Sequence, residues 1–151
     1  MPRLYAITVA AVSVSAAQDL FSLQAADDHP IEIVGIDLGQ TSSNTQENIG
    51  VSIIRGHTSV GSGGTSATPV PADPGDAAAS FTARINDTTV ASAGSAVTLL
   101  TSAWNLLAGY AQWWHEPETR PQASQASLLV VRLTAPAAAR TVRATLWVLE
   151  R

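Results

Sequence analysis

A chain of 151 residues with eight basic and twelve acidic side chains, a net charge of -4 and no cysteine excludes a disulfide-stapled scaffold and a basic nucleic-acid surface. Every basic residue is arginine, which excludes a phosphate-loop lysine and a Schiff-base lysine. Only 13% of residues are charged against 46% hydrophobic, much of it alanine, so the surface has little charge to keep it unassociated and burial against partners is expected. At this length one domain, 1–151, is expected, and folding buries about 68–70% of the unfolded surface.

Arg3 is followed by an apolar run, Leu4 to Val14, and by Ser15-Ala16-Ala17, the outline of a short secretory signal. Thr8 and Ser13 interrupt that run, and it is too short to span a bilayer. A first strand with Ile7, Val9 and Ala11 on one face is the preferred alternative. Asp19 to Ala25 reads as a second strand, broken by Asp27-Asp28-His29-Pro30. Ile31 to Leu38 alternates as a third, with a bulge marked by Gly35. The polar loop Gln40 to Asn48 precedes a strand from Ile49 to Arg55.

Gly56 to Asp76 then interrupts the pattern with a long loop rich in Gly and Pro, in which no regular element and almost no burial are expected. Loops of this length inside a domain are uncommon and usually functional, so contact with something outside the domain is expected to hold it. Ala79 to Ile85 is a modest strand. Asn86-Asp87 reads as a turn with Thr88 to Ala91 pairing back as a hairpin, and Ala93-Gly94-Ser95 as a second turn. Ala96 to Ser102 is extended, and Ala103 to Leu107 is helical by propensity until Gly109. Ala111 to Trp114 is aromatic-rich, and Arg120 to Gln125 is loop. Ser127 to Thr134 is hydrophobic on both sides, the mark of a central strand. Thr141 to Glu150 alternates Val142, Ala144, Leu146 and Val148 against Arg143, Thr145, Trp147 and Leu149. About eight or nine short strands without an ordinary helix predict an all-β, antiparallel two-sheet sandwich, jelly-roll-like.

Several stretches carry a resemblance. Ala16 to Phe21, Ile54-Arg55-Gly56-His57-Thr58, Gly61 to Gly64, Pro69 to Asp76, Asn86-Asp87-Thr88-Thr89, Asn105 with Gly109, and Trp113-Trp114 with Pro117-Glu118 together resemble small structural proteins of tailed bacteriophages. The resemblance implies a capsid decoration, or cement, protein: a homotrimer bound to the major capsid protein on the exterior of the virion, with no enzymatic activity. On that reading the contacts fall to Met1, Pro2, Arg3 and Leu4, to the loop residues Gly61, Ser62, Gly63, Gly64, Pro69, Pro71 and Pro74, and to Trp113 or Trp114. No cofactor, metal, nucleic acid or membrane partner is expected.

The residues permit other readings. Adjacent strand residues point to opposite faces, so one of Trp113 and Trp114 is expected in the core and the other outward. With Tyr110, the outward ring could serve a carbohydrate- or receptor-binding module, or another minor virion protein such as a tail or head fibre. His115, Glu116 and Glu118 have metal-like spacing but lack further ligands, and Pro117 holds them extended. Asp27, Asp28 and His29 sit where Asp favours turns, and His57 at the loop root is expected to hydrogen-bond the loop backbone. A hydrolase lacks a convergent set: no serine occupies a Gly-x-Ser-x-Gly elbow. Gly61 to Gly64 lacks both the lysine and the helix start of a phosphate cradle.

Overall fold

The computed structural model describes residues 1–42 and 44–151; Ser43, in the expected polar loop, lies outside them. The described residues form strands β1 (Arg3–Val14), β2 (Gln18–Gln24), β3 (Ile31–Gln40), β4 (Asn48–Arg55), β5 (Thr65–Ala67), β6 (Val70–Pro71), β7 (Thr82–Asp87), β8 (Val97–Asn105), β9 (Tyr110–Trp113), β10 (Gln122–Ala123), β11 (Leu128–Leu133) and β12 (Arg140–Glu150). The fold is all-β, and among the described residues the one helical piece is a 3-10 turn at Pro117–Thr119. Two antiparallel sheets form a sandwich. One runs β10-β3-β12-β1-β6, with β9 also paired to β3; the other runs β5-β7-β2-β11-β4-β8. We call them sheets A and B. The strand count exceeds eight or nine because β5, β6 and β10 have only two or three residues each.

Alternation in the sequence becomes alternation across the sheets. Val142, Ala144, Leu146 and Val148 on β12 are buried and meet Tyr5, Ile7, Val9, Ile33, Ile36 and Leu38 of sheet A in one core. From sheet B, Phe21, Leu23, Leu129, Val131 and Leu133 enter the same core, with Trp104 fully buried among them. The central position expected for Ser127 to Thr134 holds, since β11 lies between β2 and β4. The Gly35 bulge also holds, as the β3–β12 register shifts between Trp147 and Val148, opposite it.

Several local expectations do not hold. Asn86-Asp87 is the end of β7, with Asp87 paired to Asp19, and Gln122-Ala123 within the expected loop is β10, paired to β3. Ala11 is exposed, because the β1–β12 register shifts between Val9 and Val12 and turns it off the Ile7–Val9 face. Ala103 to Leu107 is not helical: β8 continues through Asn105, because pairing with β4 and burial of Trp104 override a short run of helix propensity. Thr88 to Ala91 does not fold back on β7; Thr89 bridges Ser62 and Ser92 bridges Ser59. The long stretch from Gly56 is not devoid of regular structure. It contains β5, paired to β7 in sheet B, and β6, paired to β1 in sheet A, so it crosses from one sheet to the other and closes an edge of the sandwich.

Before that crossing, residues 56–64 run beside 85–95 as an irregular ribbon. The ribbon lies over the outer face of sheet B, where Ala91 packs with Leu128, Val130 and Ile54. Two buried carboxylates hold it there. Asp19 Oδ2 accepts the Ala91 amide at 2.6 Å, while Arg132 donates to Asp19 Oδ1 at 2.7 Å and to the Ala91 carbonyl at 2.9 Å. Asp87 accepts the Gly64 amide at 3.1 Å and two donors from Arg84. Asp19→Ala strips a buried carboxylate from a largely covered arginine and leaves the buried Ala91 amide unpaired. We expect a loss of about 3–5 kcal/mol in unfolding free energy, read from urea denaturation of the variant beside the wild type.

Candidate functional site

Two of the three contact regions expected from the sequence are neighbours in space. The Ala72 amide donates to the Leu4 carbonyl at 2.8 Å, and β6 pairs Val70 with Ala6 and Pro71 with Tyr5. Met1 is fully exposed, Pro2 is exposed and Val70 is 60% exposed, so Met1–Leu4 and Pro69–Pro74 form one continuous edge surface. Arg3 and Leu4 are half-buried because they already belong to β1, paired to Glu150 and Leu149. Pro69 and Pro71 are half-buried and Pro74 is exposed.

The return of the loop is anchored beneath this edge. Glu150, 3% exposed, accepts the amides of Ser80 at 2.9 Å and Phe81 at 3.2 Å, and also the Ser80 hydroxyl. The Tyr5 hydroxyl lies 3.0 Å from the Ala77 carbonyl and 3.3 Å from Glu150 Oε2. Burial raises the Tyr5 phenol above its ordinary value and the Glu150 carboxylate raises it further, against a smaller opposing effect of Arg3.

The glycine cluster is not a free arm. Gly61 is buried and Gly64 half-buried, while Ser62 and Gly63 are exposed. A Cβ at Gly64 would collide with the Ile85 carbonyl and one at Gly61 with the Thr89 carbonyl. Gly63 has φ +87°, and a Cβ there would strike the Thr88 hydroxyl. Glycine here permits backbone to approach backbone, a different use from the flexibility that the sequence suggests. His57 meets backbone, but of the facing turn and not of its own loop: Nδ1 is 3.1 Å from the Ala93 carbonyl, where Ala93 and Gly94 both have positive φ.

The third region divides. Trp114 is buried at 9% exposure and belongs to the core, so it is not available as an outward contact. Trp113 is 43% exposed on the outer face of sheet A. Its ring partner is neither Trp114 nor Tyr110 but Trp147, with centroids 6.2 Å apart and planes inclined at 34°. Gly35 lies between their strands, paired with both, and a Cβ there would sit 2.5 Å from the Trp113 ring. The outward position of Trp147 was legible in the alternation of β12, but no local signal joins it to Trp113. Tyr110 is half-buried and packs against the core.

Seven arginines have partners inside the chain. Arg84, Arg120, Arg132, Arg140 and Arg151 pair with carboxylates, Arg55 donates to the Gln122 carbonyl, and Arg3 interacts with Tyr5. His115, Glu116 and Glu118 are exposed around the 3-10 turn. Among the described residues, no cluster of three or more His, Asp or Glu is arranged to hold a metal ion, and no helix is long and apolar enough to cross a membrane. No protein-family model matches the chain, and no curated protein or solved structure matches it.

Two outcomes follow. Gly64→Ala forces β5 away from β7 and is expected to cost at least about 1–3 kcal/mol, with faster hydrogen exchange at residues 62–67 than in the wild type. The raised Tyr5 phenol favours the folded state below the ordinary tyrosine value of about 10, and that contribution is lost as pH rises from there through the folded value. The melting temperature is therefore expected to fall above about pH 10, and less steeply in Tyr5→Phe; an unchanged slope in that variant would remove Tyr5 as the cause.

Proposed function

We propose that the protein is a non-enzymatic structural component of a tailed-phage virion. It acts as a decoration protein that binds the major capsid protein on the capsid exterior and ties neighbouring capsid subunits together. The observation that carries this reading is the union of Met1–Leu4 with Pro69–Pro74 on one edge, hydrogen-bonded through Ala72 and Leu4. Two segments distant in sequence present a joint surface of Met1, Pro2, Val70 and Pro74 that the chain itself leaves exposed, with Pro69 and Pro71 half-buried beside them. An edge held by strand pairing loses little entropy on docking. Binding to the assembled shell and not to its separated subunits would stabilise the shell by mass action.

The strand order supports a jelly-roll reading. Strands β9-β3-β12-β1 of sheet A face β2-β11-β4-β8 of sheet B, and successive core strands change sheets except from β4 to β8, which pair within sheet B, an order that fits two wrapped Greek keys. A homotrimer is part of the proposal and rests on the resemblance to phage structural proteins.

The test adds purified protein to undecorated phage capsids and measures co-sedimentation, with native mass spectrometry of the free protein for its oligomeric state. Val70→Asp, at an exposed site, is expected to keep the melting temperature while weakening capsid binding about tenfold or more. Absence of the protein from purified virions, or failure of the wild type to sediment with capsids, overturns the proposal.

A further inference from the structure

Arg143 is the one arginine among the described residues that has no hydrogen-bond or ion-pair partner in the chain, and it is exposed on the outer face of sheet A. Asp37, on the neighbouring strand β3, is also exposed and also unpartnered. The register explains why they face one space: Arg143 pairs with Gly39, and Thr145, two residues on, pairs with Asp37. Thr8 lies opposite Thr145 on the other side. These side chains line an open trough of about 350 Å³. Its floor is bare at Gly39, where an added Cβ would meet nothing within 4 Å. The next outward residue along β12 after Thr145 is Trp147, about 7 Å further on, with Trp113 beside it.

From this juxtaposition we infer that the outer face of sheet A is a carbohydrate-binding site, with Trp113 and Trp147 as the platform and Asp37, Arg143, Thr8 and Thr145 as the polar contacts. The chemistry selects the ligand class. A carboxylate and a guanidinium face the same trough with no partner from the chain, so neither an anion nor a cation matches it throughout. A neutral ligand rich in hydroxyls satisfies both, because each hydroxyl can donate to Asp37 and accept from Arg143. The tilted indoles need a ligand with a flat apolar face, which the C–H face of a pyranose supplies while its hydroxyls project at the rim. An open trough on a rigid sheet suits a chain of sugars lying along the strands. Its residues are not those that adjacency in sequence would suggest, since Trp114 is in the core and Tyr110 packs against it.

This site is independent of the capsid-binding edge, and its test uses the isolated protein. Cellohexaose, chitohexaose and O-polysaccharide released from Gram-negative lipopolysaccharide are titrated into the full chain at up to millimolar concentration, with tryptophan fluorescence and calorimetry as readouts. Saturable binding of at least one is expected. Arg143→Ala and the trough-filling Gly39→Val are each expected to weaken it about tenfold or more at an unchanged melting temperature, and Trp113→Ala to weaken it as much with a lower melting temperature, because its ring also covers Gly35 and packs on Trp147. No binding by any of the three probes overturns the inference, as does wild-type binding by all three variants. Concentration-dependent self-association that Trp113→Ala abolishes, without sugar binding, would make the face a protein interface and also overturn it.

Discussion

The Asp19–Arg132 pair is the constraint on which the arrangement of the long loop depends. Asp19 is fully buried, so its charge is removed from water at a cost of several kcal/mol unless its oxygens are satisfied. They are: Arg132 takes one, and the Ala91 amide takes the other. Arg132 then returns to the Ala91 carbonyl, so both polar groups of one peptide position are clamped by a single ion pair. Asp87 sits directly across from Asp19 in the β2–β7 register, a like-charge neighbour that would be costly alone. Arg84 neutralises it, and the hydrogen bonds to Asp87, with its charge, raise the arginine's proton affinity against the opposing effect of burial. The two carboxylates thus hold the two halves of the ribbon, Asp19 at Ala91 and Asp87 at Gly64. With both halves fixed, the chain beyond Gly64 is delivered to the edge of sheet B and can cross to sheet A.

Spending charge internally has a consequence for the surface. With seven arginines engaged within the chain, two long stretches of open sheet edge are left uncharged. From Ile7 to Val14, β1 pairs only with β12, and β8 pairs only with β4 along its whole length. Neither segment contains a charged residue or a proline, the usual devices that blunt an edge. What each does contain is a register shift, at Ala10–Ala11 in β1 and at Leu99 in β8. A bulge twists an edge locally and limits uninterrupted pairing with another strand. The molecule therefore guards against indiscriminate stacking by backbone geometry, while its surface stays poor in the charge that would oppose ordered assembly.

The same division explains what could be read from the sequence. Strands with one buried face announced themselves: β12 alternates without interruption, and β11 is apolar on both sides because the ribbon covers its outer face as the core covers its inner one. Positions that depend on contact between distant segments were not legible. Gly61 and Gly64 have the composition of a flexible linker, and only the approach of the Ile85 and Thr89 carbonyls reveals why a side chain cannot be present. Ala103 to Leu107 has helix propensity that a strand pairing outweighs. Trp113 was legible as half of an inside–outside pair with Trp114, yet its true neighbour is Trp147, brought to it across Gly35. Unpartnered Arg143 is invisible in sequence for a plainer reason: it differs from the other seven only in what its neighbours leave undone.

The exposed edge and the aromatic face are parts of one rigid surface. Val70 pairs with Ala6, Ala6 with Trp147, Trp147 with Gly35 and Gly35 with Trp113, so a single register row runs from the crossing strand β6 across sheet A to β9. Hydrogen-bonded neighbours in a sheet hold their separation, so the row fixes the distance and angle between whatever the edge grips and whatever the indoles meet. A loop carrying either surface would have to be ordered at each encounter, at an entropic cost that grows with every residue immobilised. Here that cost is met once, on folding, by the carboxylate clamps that hold the ribbon and by Glu150, which anchors Ser80 and Phe81 where the loop returns to β7. The long Gly- and Pro-rich stretch is thus the means by which one sheet edge is closed and turned into a surface, and its order comes from the sandwich itself.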